Sequence, residues 1–179
     1  HGASGGVGLA AVKLGKMLGA TVIATGGDDK KLQKVRAEGA DFVVNTNREP
    51  LTERIRELTS GRGADVSFDP VGGDVFDATM RSTAIDGRVL VVGFAAGDIP
   101  RLPLNLALLK GASIVGVFWG DYSKREPKAN AAMMQELVTW YGQGRIKPAI
   151  DRTMPMSELK AAYARMSSRQ VMGKLVMVN

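Results

Sequence analysis

The sequence predicts a doubly wound α/β fold, a parallel sheet with helices on both faces. Three observations carry that prediction. Short β-branched apolar runs alternate with helical periodicities through residues 1–120. The runs are continuously apolar, as strands covered on both faces are. A glycine-rich stretch, "GASGGVG", stands directly ahead of the first helical pattern.

The elements follow in order. Val7, Leu9, Ala10, Val12, Leu14, Met17 and Leu18 recur at helical spacing, and Gly19 closes that helix. "ATVIAT" reads as a buried strand. "DDKKLQKVRAEG" is a helix with Asp28 or Asp29 as cap, Leu32 and Val35 inward and Gly39 at its end. "ADFVVN" is a second strand. "PLTERIRELTSG" is a helix opened by Pro50, with Leu51, Ile55 and Leu58 on one face. "ADVSFDPVG" is a strand running into a turn, "DVFDATMRSTAI" a helix, and "GRVLVVGF" and "GASIVGVFWG" two further strands. After Gly120 a long helix starts near Pro127, a shorter one is capped by Ser157, and "GKLVMVN" is a final strand. The expected division is a dinucleotide-binding unit over 1–120 and a C-terminal segment over 121–179 that completes it.

Composition narrows the function classes. With 24 Lys and Arg against 18 Asp and Glu, the formal charge is +6, yet the cations are scattered along helix faces and form no stripe for nucleic acid. No apolar run approaches the roughly 20 residues of a membrane span. There is no cysteine, which removes disulfides, thiolate metal sites and cysteine nucleophiles and fits a reducing, cytoplasmic setting. His1 is the only histidine. With no nucleophile or metal partner nearby in the sequence, it reads as the end of a strand.

The chemistry lies in the opening turn. Ala3-Ser4-Gly5-Gly6-Val7-Gly8 is the pattern G-x-G-x-x-G with alanine in first place. Gly5 lets backbone approach a pyrophosphate, Gly8 lets the helix pack closely, and the first helical N–H groups favour an anion. A site selective for NAD places an acid about 20 residues on, at the end of the next strand. Here that strand ends Thr25-Gly26-Gly27, without a carboxylate, which admits a 2′-phosphate. Lys30, Lys31 and Arg48 supply nearby positive charge. Asp28 and Asp29 oppose it, although capping the next helix is their simplest role. The balance favours NADP(H).

The stretches "GASGGVG", "GADVSFDPVGG", "GRVLVVGFAAG" and "SSRQVMGKLVMVN" resemble the zeta-crystallin-like NADPH:quinone oxidoreductases of the medium-chain dehydrogenase/reductase superfamily. The resemblance implies a Rossmann-type domain of strand order 3-2-1-4-5-6 joined to a catalytic domain. It implies pyrophosphate contacts from Ser4, Gly5, Gly6 and Val7, a 2′-phosphate contact from Lys31, and a nicotinamide pocket lined by Val92, Gly93 and Phe94, with Phe118 and Trp119 near its mouth. Arg169 matches a C-terminal arginine that reaches the cofactor, and Lys174 stands near to assist. Gly8 and Gly27 complete the cofactor set. Thr46 stands where the family often has tyrosine, with Asn47 or Arg48 as substitutes. Lys31 also reads as a surface cation, Phe118 and Trp119 as interface aromatics, and Arg169 as the partner of an acid.

The resemblance further implies hydride transfer to a quinone or enone without zinc, and a homodimer paired through an edge strand over 112–119. The zinc-dependent branch, an enoyl-thioester reductase and a non-catalytic nucleotide-binding role are the rival readings. The first strand and the catalytic domain are expected to be missing, leaving a cofactor-binding fragment without catalytic groups of its own.

Overall fold

A helix between successive strands returns the chain to the end where the previous strand began, so every paired strand is parallel. The structure is a computed structural model and describes residues 1–179. In chain order it comprises α1 (Gly6–Met17), β1 (Ile23–Gly26), α2 (Asp29–Ala37), β2 (Phe42–Asn45), α3 (Leu51–Leu58), β3 (Ala64–Asp69), α4 (Val75–Ser82) and β4 (Thr83–Val91). Then come α5 (Leu104–Lys110), β5 (Ser113–Gly116), α6 (Trp119–Arg125), α7 (Pro127–Gly142), β6 (Ile150–Pro155), α8 (Leu159–Ser167) and β7 (Lys174–Val178).

Local chemistry sets the helix ends. Asp28 caps α2 by accepting from Lys31 N at 2.9 Å. Pro50 precedes the first turn of α3. Gly19 and Gly39, just past the ends of α1 and α2, take φ of 85° and 120°, where a side chain is strained.

Neighbouring residues on one strand face opposite layers. Ala24 packs with Leu9, Val12 and Val35 under α1 and α2. Ile23, beside it, packs with Val44, Leu51 and Ile55 under α3. Helices therefore cover both faces. A third cluster, Phe76, Met80 and Val89, joins α4 to β4, with Leu106 and Ala107 of α5 against it.

The pairing has a break at its centre. β1 pairs with β2 alone, while β3, β4 and β5 form a separate run. The strand order that the resemblance implies puts a further strand between β1 and β3. Residues 1–3 run between β1 and β3: Ala3 N donates to Thr25 O at 3.0 Å and His1 N to Phe68 O at 2.9 Å. Below them lies a slot of about 530 Å³ lined by Ile23, Thr25, Ala64, Val66 and Ser67 among others.

Several expectations need correction. α4 ends at Ser82, and Thr83–Ile85 turn extended to join β4, whereas the sequence reading carried the helix to Ile85. The strand expected over 112–119 spans only Ser113–Gly116, and Trp119 opens α6 instead. Ser157 lies in a short 3-10 turn, Met156–Glu158, and makes no cap bond. The elements α5, α6 and β6 were not foreseen. β6 pairs with β7 as a small parallel sheet of its own. No helix is long and apolar enough to cross a membrane.

Candidate functional site

The parallel strands end on one side, and the loops leaving those ends assemble the site. Its centre is the turn ahead of α1. Gly2 takes φ of 58°, and Gly5 N closes the turn on Gly2 O at 3.1 Å. Gly8 faces this turn from within the helix. A Cβ on Gly8 would overlap Gly2 O and lie 2.7 Å from Ala3 Cα, so close packing requires the third glycine. Gly5 is different. A Cβ there would meet only Gly2 O, at 3.5 Å, so the space beside it is open. Gly5 provides no side-chain cap, and the N–H groups of Val7 and Gly8 have no partner in the chain. Unpaired donors at the positive end of a 12-residue helix suit a phosphate anion, and the open cradle at Gly5 admits one.

The C-terminal segment closes over this turn. Gly173 N donates to Ser4 O at 3.0 Å, and Gly5 and Gly173 form an isolated parallel bridge. The stem of Lys174 lies across Gly6, where a Cβ would be 2.7 Å from Lys174 Cε. No acid pairs with the Lys174 ammonium. Lys31 reaches the same segment: its ammonium donates to Arg169 O, and to Val171 O at 3.3 Å. Arg169 holds φ of 55°, an unusual backbone for a side chain of its size. The structure thus brings Lys31 and Arg169 together, with the lysine fastening the loop that carries the arginine.

The rim above β1 and β2 holds the ribose candidates. Thr46 N and Oγ1 both donate to Gly26 O, at 2.9 and 3.3 Å. Asn47 Nδ2 donates to Gly27 O at 3.0 Å, and a Cβ on Gly27 would collide with that amide. Asp29, the first residue of α2, accepts from Asn45 Nδ2 and pairs with Arg48. Asn45 is buried and was not among the sequence candidates. Its signal was absent because its partner lies 16 residues away.

The opposite rim leaves β3, β4 and β5. Buried Asp69 accepts from Val71 N and Gly72 N at 2.8 and 3.0 Å and shapes the turn after β3. Gly72 has no side chain to block Phe94, whose Cδ1 would lie 2.8 Å from a Cβ there. Gly93 and Phe94 follow β4, and Phe118 and Trp119 follow β5, whose Gly116 is paired with Val91. The four residues therefore leave adjacent strand ends. Phe118 is exposed, and the Trp119 indole donates to Asn130 Oδ1 of α7 at 2.9 Å.

His1 sits at the floor. Its Nδ1 and Nε2 each lie 2.7 Å from a threonine hydroxyl, of Thr25 and Thr79. Thr79 Oγ1 donates to Val75 O at 2.7 Å, so it accepts from His1. Nε2 therefore carries a proton, and in the neutral ring Nδ1 accepts from Thr25. The imidazole ties β1 to α4.

Fold and turn together define a Rossmann-type coenzyme-binding domain. Residues 6–137 match the family described as zinc-binding dehydrogenase, and the chain belongs to that family, as its coenzyme-binding half. It is 36% identical over 176 residues to quinone oxidoreductase-like protein 2 of Bos taurus, covering 98% of this chain and 50% of that protein. It is 30% identical over 180 residues to the highly reducing polyketide synthase VdtX of Byssochlamys spectabilis, covering 98% of this chain and 8% of that protein. The crystal structure of Escherichia coli quinone oxidoreductase complexed with NADPH superposes with a TM-score of 0.87 at 28% identity, covering 100% of this chain and 56% of that one. The chain thus spans about half the length of the bovine relative. Despite the family's description, no three His, Cys, Asp or Glu side chains of this chain gather where they could hold a metal ion.

Proposed function

We propose that the chain binds NADP(H) as the coenzyme half of a quinone-reductase-like oxidoreductase. The observation that carries this is the open cradle at Gly5 beside the unpaired N–H groups of Val7 and Gly8. The pyrophosphate lies there, with Ser4, Gly6 and Lys174 around it. The adenosine ribose lies against Gly27, Thr46 and Arg48, and Arg169 reaches the coenzyme from the loop that Lys31 fastens. The nicotinamide end points to Gly93 and Phe94, with Phe118 and Trp119 at the mouth. When bound, the coenzyme supplies a hydride at the nicotinamide. The side chains named here bind and orient it and exclude water. The acceptor is a quinone or another α,β-unsaturated carbonyl.

The coenzyme half of an enoyl-thioester reductase would share these features, and the likeness to a polyketide synthase supports that second reading of the acceptor. We also propose a homodimer through the open edge of β5, all four residues of which are exposed.

Equilibrium binding tests the coenzyme assignment. Titrating the chain with NADPH and following nicotinamide fluorescence should show saturable binding. Gly5→Val should abolish it while the far-ultraviolet spectrum stays native, because the new Cβ clashes with nothing in the chain. Undiminished NADPH affinity in a folded Gly5→Val protein would reject the assignment.

A further inference from the structure

Asp29 does not do what its position suggests. An acid at the first residue of a helix usually serves the helix end, yet Asp28 already caps α2. Both oxygens of Asp29 instead turn toward the end of β2: Oδ1 accepts from Asn45 Nδ2 and Oδ2 accepts from Arg48. Asn45 Oδ1 accepts from Asn47 N at 3.0 Å, and Asn47 Nδ2 reaches Gly27 O. One acid thus organises the ends of the two strands that flank the ribose in a doubly wound fold.

The charge balance there matters for selectivity. Arg48 is 72% exposed, and Asp29 is its one acidic partner. Lys31, a further cation beside the rim, is engaged by the carbonyls of Arg169 and Val171. A dianionic 2′-phosphate entering this rim meets an arginine already neutralised and a carboxylate beside it. A 2′-hydroxyl meets no such conflict.

We propose that Asp29 is a specificity-determining residue that holds down the preference for the 2′-phosphorylated coenzyme by pairing Arg48. This rests on the coenzyme reading above. A surface ion pair that merely fixes the strand ends would influence both coenzymes alike.

The experiment measures dissociation constants for NADPH and NADH on the 179-residue chain and on its Asp29→Asn and Arg48→Gln variants, at low and high salt, with thermal melts as folding controls. Asp29→Asn should raise the NADPH:NADH affinity ratio about fivefold, the effect in water of removing one unit charge a few ångströms from another. The gain should come from tighter NADPH and should shrink as salt rises. Arg48→Gln should move the ratio the other way. An unchanged ratio in folded Asp29→Asn, or equal shifts for both coenzymes, overturns the proposal. A parent chain that binds neither coenzyme overturns the coenzyme reading and this proposal with it. A parent that binds both, with a ratio insensitive to Asp29, overturns this proposal alone.

Discussion

Residues 1–91 and residues 104–142 are assembled from the same kinds of element, yet they end in opposite surfaces. The first region holds nearly all of the core: Leu9, Val35, Val44, Met80 and Val89 are each at most 1% exposed. The second region has no buried residue at all, and Leu104, Leu108 and Phe118 are each at least 75% exposed. The cause is neighbours rather than composition. β4 is paired on both sides and has α4 and α5 against it, whereas β5 is paired on one side only. A closed region stabilises itself by burial. An open one presents apolar area that a partner surface would cover.

The sharpest way to break the comparison is at the closed end. Gly8→Val forces a branched side chain into Gly2 O and Ala3 Cα, backbone atoms that cannot swing aside. Seating α1 against the turn at Gly2 and Ala3 is then impossible. The expected outcome is loss of the cooperative unfolding transition in circular dichroism. A native melt for Gly8→Val would mean that α1 is not packed as described.

A smaller effect sharpens the same contrast. Met80 is fully buried between Phe76 and Val89, so Met80→Ala should cost about 2–5 kcal/mol in urea unfolding. Leu108→Ala, at an exposed leucine of α5, should stay within about 0.5 kcal/mol. A comparable cost at both positions would show that the open region is covered in solution.

The contrast also explains what the sequence conveyed. The βα alternation was legible where punctuation is local, as at Asp28, Pro50, Gly19 and Gly39. α5 carried readable signals as well, Pro103 before it and Gly111 in a left-handed cap after it. Its exposed leucines masked them, because "PLNLALLK" has no polar face. β6 was illegible for a different reason. Asp151, Arg152 and Pro155 spoil its apolar pattern, and only pairing with β7, some 20 residues on, makes it a strand. The glycine-rich turn ahead of α1 was legible because glycine chemistry acts within eight residues. The His1–Thr25–Thr79 tie and the Asp29–Asn45 contact were not, since they join residues 16 to 78 positions apart.

The gentlest test leaves the isolated fold intact and asks what the open region is for. Ile114 lies on β5 opposite Val89, with its far side unpaired. A charge on such an edge costs little in a monomer, yet it opposes pairing of two like edges, which would bring identical carboxylates together across the symmetry axis. Sedimentation of the parent chain should therefore report twice its 19.0 kDa, and Ile114→Asp should report the single chain with an unchanged melting profile at high dilution. A variant that remains dimeric would place the contact elsewhere on the open region, on α5 or α7, where Leu104, Leu108 and Val138 stand exposed. A charge at Leu108 would then be the substitution that separates the chains, because an edge-strand dimer leaves that helix face outside the contact.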